Sequence, residues 1–545
     1  MNSTVNIGLL KRKDSHCLAV SFGFNQTILG KIRTIDGRKY DAVNKRWEIP
    51  LAAFKELKMR FPDAIFSEGV QDFLEKQKLV LEIRRNKFRE VLETVNLKEP
   101  LTNGLTLFQH QIESVERMIM TQRQILALDM GLGKTLTALV TAKLLKERYG
   151  WRIIVICPVS LKNNWLNDAK GLKINIEVHS WAKVPAPFME DYILICDEAH
   201  YAQSGSKSKR GKQFLELSKS SFCKSIYLLS GTPIKNGRPI NLLPLLEAVR
   251  HSLSQDKTYF HRRYCAAKQT PWTRWDVSGA SNLTELFERT KDVMIRKTKA
   301  ECLDLPEKLR VLREVEVSIP ARQLYNKSLR ELREKYLQRV AEGTINGGSE
   351  AFVLFGQLRQ SGSIAKVETA VELAKEILEE NQQIVIFTEF RKSQLMIFEE
   401  LSKVTKCEML HGQIDQDERP KMVERFQAGN SKAFISTIGA GGVGLTLTKA
   451  QTVLLVDRPL TPGDAEQAED RCHRIGQKNN VTAIWLQFGD ADAKIDAILQ
   501  DKSKNIEAIL TGKDDKSNIE FSSHKLAMEL LPKIFSKNNS DLFCD

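Results

Sequence analysis

The chain has 545 residues and a mass of 62.0 kDa, room for about three to four domains at roughly 150 residues each. Its 82 Lys and Arg outnumber 68 Asp and Glu for a formal net charge of +14, and 42% hydrophobic and 28% charged residues are ordinary for a globular protein. That balance excludes collagen-like, mostly disordered and coiled-coil classes. No run approaches the roughly 20 apolar residues that a bilayer crossing needs, and residues 1–13 lack the apolar core of a secretory signal. The nine cysteines are scattered and form no C-x-x-C pair, which argues against a disulfide framework or a structural zinc. The expectation is a soluble protein of a reducing intracellular compartment.

Residues 1–100 read as a separate basic module. They hold 19 Lys or Arg against 13 Asp or Glu, +6 of the whole excess, which is either a field that draws polyanions or a solvated basic face. Residues 26–50 mix β-branched side chains with the turn signal Asp36-Gly37 and predict short strands or a hairpin. Over 71–95, Phe73, Leu79, Leu81, Ile83, Phe88, Val91, Leu92 and Val95 recur at three- and four-residue spacings. They predict an amphipathic helix with Arg84, Arg85, Lys87 and Arg89 at polar positions.

From about residue 104, apolar strands alternate with helices: 125–128, 136–147, 153–157, 192–196 and 226–229. The alternation resumes at 369–380, 383–388, 392–404, 433–436, 452–456 and 481–488. Apolar strands interleaved with helices predict parallel sheets covered on both faces. The intervening 240–365 reads as helical and irregular, with a flexible tip at 343–349. The chain is expected to form two α/β lobes separated by a helical insertion.

Strand 125–128 runs into Asp129-Met130-Gly131-Leu132-Gly133-Lys134-Thr135 at a helix start. Such a turn cradles phosphate: backbone N–H groups face the anion, Lys134 reaches the β- and γ-phosphates and Thr135 holds Mg²⁺. The strict G-x-x-x-x-G-K-[ST] pattern fails at its first position, where Leu128 stands. Strand 192–196 ends in Asp197-Glu198-Ala199-His200. Acids at the carboxyl end of a parallel strand either coordinate Mg²⁺ (Asp197) and polarise an attacking water (Glu198), or merely mark the strand's exit. In Gln467–Gln477, Arg471 and Arg474 stand three apart, so on a helix they share a face. They are either arginine fingers for a γ-phosphate or surface charges. The glycine-rich run 436–445 lets backbone approach phosphate closely or forms a flexible loop.

In this order these segments resemble the superfamily-two helicases, specifically the Swi/Snf-type DNA translocases. Phe108-Gln109 looks like the adenine-reading Q motif, 129–135 matches motif I, 157–165 motif Ia and 197–200 motif II. Residues 230–236 resemble motif III, Phe387-Thr388 motif IV, 436–445 motif V and 467–477 motif VI, with its closing Arg-Ile-Gly-Gln. Arg263-Tyr264-Cys265, Ser281-Asn282-Leu283, Glu285-Leu286, 294–297 and 305–308 are similar to the HARP-type annealing-helicase branch. Tyr40-Asp41, Lys45 and Trp47 match the aromatic-acidic core of its HARP module.

The resemblance implies two RecA-like parallel-sheet lobes with helical insertions plus a small α+β N-terminal module. The implied domains are a HARP-like module (1–100), lobe 1 (104–300, with a helical protrusion from about 237), a helical linker (301–365), lobe 2 (366–512) and a tail (513–545). It implies ATP and Mg²⁺ as cofactors. ATP would be bound by Gln109, Leu128, Asp129, Met130, Gly131, Leu132, Gly133, Lys134, Thr135, Gly444, Arg471 and Arg474, in a cleft that closes when the lobes meet. Lys134, Glu198, Arg471 and Arg474 would be catalytic, and Thr135 and Asp197 would hold the metal. Ser160, Trp165, Ser230, Thr232, His411 and Thr437 would couple the site to DNA or contact it.

The implied activity is an ATP-dependent DNA translocase that remodels branched or partly single-stranded DNA, annealing strands and remodelling forks. The alternatives are a translocase that displaces proteins or a stalled polymerase from duplex, and a DNA-binding scaffold with a degenerate ATPase. The expected partner is duplex, forked or junction DNA, with no membrane. The compartment is the nucleus in a eukaryote, or the cytoplasm or nucleoid in a bacterium or virus. Trp47 either packs a small β core or stacks on an unpaired base.

Overall fold

The computed structural model describes residues 4–12, 16–234, 237–269, 275–343, 349–441, 445–511, 531–532 and 534–535. The tip at 344–348, Lys235-Asn236 of the third motif, Gly442 to Gly444 and nearly all of the 513–545 tail lie outside these described residues. The chain divides into two compact units, the first dominated by residues 1–129 and 133–297, the second by 298–504. The expected fold class is the observed one: two parallel-sheet α/β lobes and a small mixed N-terminal sheet.

The N-terminal sheet contains β1 (Asn6–Lys11), β2 (His16–Ser21), β3 (Lys39–Asp41), β4 (Arg46–Pro50) and β5 (Ile65–Phe66), ordered β3-β4-β2-β1-β5. The predicted hairpin is β3–β4, with Tyr40 opposite Trp47. Residues Gln26–Arg33, however, form a helix and not a strand, because the Asn25 side chain accepts from the Thr27 and Ile28 N–H groups and caps it. The long helix forms at Glu68–Glu93, but its apolar stripe is only partly used. Phe88 and Val91 are buried, with Phe88 against the Tyr149 and Trp151 rings, whereas Leu79 and Ile83 are more than half exposed.

The first unit's second sheet holds β6 (Arg123–Leu128), β7 (Arg152–Cys157), β8 (Glu177–Ser180), β9 (Tyr192–Asp197), β10 (Cys223–Leu229) and β11 (Met294–Lys297). All pairings are parallel, in the order β11-β6-β10-β9-β7-β8. Because β10 lies between β6 and β9, the chain leaving these three strands emerges at one edge of the sheet. In open parallel sheets that carboxyl edge is where ligands bind. One apolar cluster runs from Ile7, Leu18 and Ile49 of the N-terminal sheet to Ile125, Ile154 and Leu194 of the parallel one, so the basic module is built into the first unit.

The second unit repeats the plan with β12 (Lys308–Glu314), β13 (Ile384–Thr388), β14 (Cys407–Leu410), β15 (Ala433–Thr437), β16 (Thr452–Leu455) and β17 (Val481–Gln487), ordered β12-β17-β16-β13-β15-β14 and parallel throughout. Val385 and Phe387 enter one apolar cluster and Ile384 and Ile386 another, so both faces are buried and the strands read as unbroken apolar runs. The stretch expected to be a helical linker contains β12, paired with β17 along seven residues. It shows no apolar alternation because it is an edge strand: Leu309 and Leu312 are half exposed, and its Lys308 and Arg310 side chains pair with Glu469.

Candidate functional site

Strand β6 is buried and leads into a turn that only glycine makes without strain. Gly131 and Gly133 have φ of +83° and +75°. A Cβ on Gly133 would come within 2.1 Å of the Gln111 amide nitrogen, so the Gln111 side chain already fills the space a larger residue would take. The helix Lys134–Tyr149 starts directly at this turn and offers its unpaired N–H groups and positive dipole end. Leu128 and Leu132 are buried anchors, while Met130, Gly131 and Thr135 keep partial exposure. Asp129 is fixed from β11: its carboxylate pairs with Arg296 at 2.6 Å and its N–H donates to the Lys297 carbonyl at 3.0 Å. The Lys134 ammonium donates to the Leu128 and Asp129 carbonyls at 3.0 and 3.2 Å. Burial pulls its pKa below the usual lysine value against the pull of Glu198, Asp197 and Asp129.

Two carboxylates stand at the end of β9, both under a tenth exposed. Asp197 Oδ1 accepts the Glu198 N–H at 2.9 Å, and Oδ2 accepts the Trp165 indole N–H at 2.9 Å. Burial, then the adjacent Glu198, push the Asp197 carboxyl above the ordinary range, while Trp165 and Lys134 oppose them. Glu198 is held at φ +49°, a left-handed conformation that a non-glycine residue adopts at a cost of order 1–3 kcal/mol and that recurs at functional sites. Its Oε2 lies 3.2 Å from His200 Nδ1, which is also 3.4 Å from Ser230 Oγ. Ser230 Oγ in turn accepts the Thr232 N–H at 3.2 Å. Thus the ends of β9 and β10 are tied through one imidazole. The Thr232 hydroxyl is buried with no hydrogen-bond partner among the described residues.

The donor set fits a nucleotide and a hard cation. Left-handed glycines, a lysine and a helix start form a cradle for phosphate. The Thr135 hydroxyl and the Asp197 carboxylate present only oxygen, the chemistry of Mg²⁺, which keeps waters and substrate oxygens as its other ligands. Among the described residues no group of three His, Cys, Asp or Glu makes a ready metal cage.

In the second unit, the helix Pro462–Glu469 stops before the two arginines, so they share no helix face. The chain continues in tight turns, with Arg471 N–H donating to the Ala468 carbonyl and Cys472 N–H to that of Glu469. Both guanidiniums nevertheless donate to one acceptor, the Leu445 carbonyl, at 3.3 Å from Arg471 and 3.0 Å from Arg474. Gln477 fixes the following turn, its amide donating to the Thr448, Ala450 and Cys472 carbonyls and accepting from the Lys478 and Asn479 N–H groups. At the helix end Glu469 pairs with Lys308 and Arg310, and Asp470 with Lys308 and Lys299.

Two expected site residues stand otherwise than the sequence suggested, and a third lies outside the described residues. Gln109 is exposed and bonded to Glu113 at 3.3 Å. Gln111, two positions on, is buried, accepts the Phe108 N–H at 3.0 Å and reaches the glycine turn. The signal was present: Gln111 and Val115 share the buried face, Gln109 and Glu113 the exposed one. Trp165 is 1% exposed, so it offers no surface to DNA; its contact is with Asp197. Gly444 lies outside the described residues.

Ser160 is half-buried in the turn after β7, Ser230 and Thr232 are buried beside His200, and Thr437 closes β15. His411 follows β14, its Nδ1 accepting the Gln413 N–H at 3.3 Å; burial and then Arg391 and Arg419 lower its pKa. Trp181, which the sequence did not single out, donates its indole N–H to the Asp197 carbonyl at 2.7 Å.

An SNF2-related domain matches residues 110–178 and 189–366, and a helicase conserved C-terminal domain matches 366–476. The chain is 28% identical over 531 residues to the SWI/SNF-related matrix-associated actin-dependent regulator of chromatin subfamily A-like protein 1 of Xenopus tropicalis, covering 89% of this chain and 54% of that protein. It is 28% identical to the human DNA annealing helicase and endonuclease ZRANB3 across 73% of this chain and 40% of that protein. The chain spans about half the length, or less, of these two relatives. A solved SWI2/SNF2 ATPase core from Sulfolobus solfataricus in complex with dsDNA is 24% identical, with a TM-score of 0.36 over 81% of this chain and 99% of that one.

Proposed function

From a chain that belongs to the SNF2-related family, its two domain matches lying in sequence order, we propose an ATP-dependent DNA translocase that remodels branched or partly single-stranded DNA. The observation that carries the reading is the carboxyl edge of the first parallel sheet. There the glycine turn and Lys134, the Asp197–Glu198 pair and the His200–Ser230 bridge hang from the neighbouring strands β6, β9 and β10.

ATP sits on the 129–135 turn, with Gln111 taking the reading role that the family resemblance implies for Gln109. Lys134 neutralises β- and γ-phosphate charge. Thr135 and Asp197 hold Mg²⁺, which supplies charge neutralisation to the phosphates when bound. Glu198 accepts the proton of the attacking water, and Arg471 and Arg474 stabilise the charge that builds on the γ-phosphate. His200, joined to both Glu198 and Ser230, reports the state of the acidic pair to the segment after β10.

The domain assignment is part of the proposal: residues 1–100 act as a HARP-like module that selects DNA structure, and the two α/β units are the motor. Duplex, forked or junction DNA is the partner, gripped near Ser160, His411 and Thr437 through its phosphates. The annealing activity for which the human relative is named favours strand reannealing over displacement of bound proteins.

The test is direct. Lys134→Ala and Glu198→Gln should each lower DNA-stimulated ATP hydrolysis by at least about a hundredfold while duplex binding, read by anisotropy, persists. Near-normal turnover by Glu198→Gln would overturn its assignment as the base. Loss of DNA binding in both variants would overturn the separation of grip from chemistry.

A further inference from the structure

Two tryptophans from different elements converge on a single acid. Trp165 lies on the helix Lys162–Gly171 and Trp181 one residue beyond β8, and both rings are buried, 1% and 3% exposed. An indole has one donor and no acceptor, so a buried indole N–H needs an oxygen in a fixed place. Trp165 gives its N–H to Asp197 Oδ2 at 2.9 Å, and Trp181 gives its own to the backbone carbonyl of the same residue at 2.7 Å.

The two bonds differ in what they fix. Asp197 Oδ1 is already held by the Glu198 N–H at 2.9 Å. The Trp165 bond therefore pins the second oxygen and with it the plane of the carboxylate. The Trp181 bond fixes only the main chain where β9 ends. A carboxylate pinned at both oxygens keeps one lone-pair direction on each for a further partner, and its rotation about the Cβ–Cγ bond is stopped before that partner arrives. Outer partners of this kind tune how well an acid serves a cation.

We infer that Trp165 is a positioning residue that sets the orientation of the Asp197 carboxylate for a divalent cation, whereas Trp181 supports only the strand end. The inference rests on the reading of the first unit as a nucleotide site.

Binding of ADP to the full chain, measured by calorimetry across a Mg²⁺ titration, tests it. Trp165→Phe keeps an aromatic ring and deletes the donor. It should raise the Mg²⁺ concentration needed for half of the ADP affinity gain by roughly tenfold, the worth of one hydrogen bond to a charged group. Its affinity for ADP without Mg²⁺ should match the wild type. Trp181→Phe should lower the unfolding temperature yet leave the Mg²⁺ midpoint in place. An unshifted midpoint in Trp165→Phe, or equal shifts in both variants, overturns the inference.

A second readout needs no substitution that threatens folding. In the chain labelled with 5-fluorotryptophan, the ¹⁹F resonance of Trp165 should move when Mg²⁺ is added to the ADP complex, and a resonance that stays put overturns the inference equally. A wild-type chain that binds no ADP at all would remove the nucleotide reading and this inference with it. ADP binding without the Trp165 effect removes the inference alone.

Discussion

At Gly133 one hydrogen atom stands where any other residue would put a carbon 2.1 Å from the Gln111 amide, and the backbone there is left-handed at φ +75°. Gln111 is the far end of a flexible side chain and can swing aside, so the clash alone is survivable. The backbone conformation is not relieved by that movement. Gly133→Ala is therefore expected to cost about 1–2 kcal/mol of stability, seen as a lower midpoint in urea unfolding. Gln111→Ala separates the two effects: it vacates the space, leaves the Phe108 N–H without its acceptor and should weaken ATP binding about five- to tenfold. Equal ATP affinity in Gln111→Ala and the wild type would show that the residue only caps its helix. The difference between Gln109 and Gln111 was decided by which helix face is buried, a fact carried by the spacing of Ile112, Val115 and Met118 rather than by the motif's letters.

At the scale of elements, the long apolar strands were legible and the charged ones were not. Strands β6, β7, β9, β13 and β16 are continuous apolar runs because both faces are covered, and such runs announce themselves. Strands β11 and β12 add ion pairs to their backbone pairing, and hydropathy cannot see those. Lys308 reaches Glu469 at 3.0 Å, and Arg310 reaches it at 2.8 Å while lying 4.4 Å from the centre of the Trp485 ring. Trp485 donates its indole N–H to the same carboxylate. The Glu469 side chain is fully buried. Burial alone would raise its pKa, but Lys308 and Arg310 outweigh it and hold the carboxyl below the usual range. Asp470 is lowered in the same way by Lys308 and Lys299.

The sign follows. A carboxylate whose folded pKa is depressed stabilises the fold above its unfolded value, near 4, and loses that contribution as pH falls through the folded value. The urea midpoint of the second unit should therefore hold from pH 7 to about 5 and drop below about 4. Lys308→Ala should cost about 3 kcal/mol at neutral pH, since it strips a cation from a buried acid. That cost should shrink as pH falls below 4; a cost independent of pH would assign the effect to lost packing. The clamp lies where the helix Pro462–Glu469 ends, just before the two arginines that both donate to the Leu445 carbonyl.

At the scale of the whole chain, the +14 charge and its N-terminal share pointed to a polyanion, but they could not say how the basic module is held. It is fastened to the first unit by contacts as specific as those of a core. Arg289 donates to the Ala52 carbonyl at 2.6 Å, Arg263 lies 3.9 Å from Asp36, and a Cβ on Gly37 would come within 3.2 Å of Tyr259. Arg263 and Arg289 are themselves tied to Glu285, and Tyr264 donates to the same acid at 2.7 Å. Arg263, Tyr264 and Glu285 are among the residues whose spelling resembled one branch of the family, and together with Arg289 and Tyr259 they seat the segments around Asp36 and Ala52.

Deleting residues 1–100 would uncover this platform and the shared apolar cluster. The truncated chain is expected to lose stability, and its DNA behaviour would then report misfolding as much as recognition. Charge reversal on the module's exposed hairpin avoids that confusion. Lys39 and Lys45 are exposed, and neither belongs to the platform. In Lys39→Glu combined with Lys45→Glu, the concentration of forked DNA that half-stimulates ATP hydrolysis should rise roughly tenfold at low salt, with a flatter salt dependence. The unfolding temperature should stay within about 2 °C of the wild type, as for surface substitutions generally. If forked and plain duplex DNA lose potency by the same factor, the module supplies only general attraction, and the selection of DNA structure belongs to the motor units.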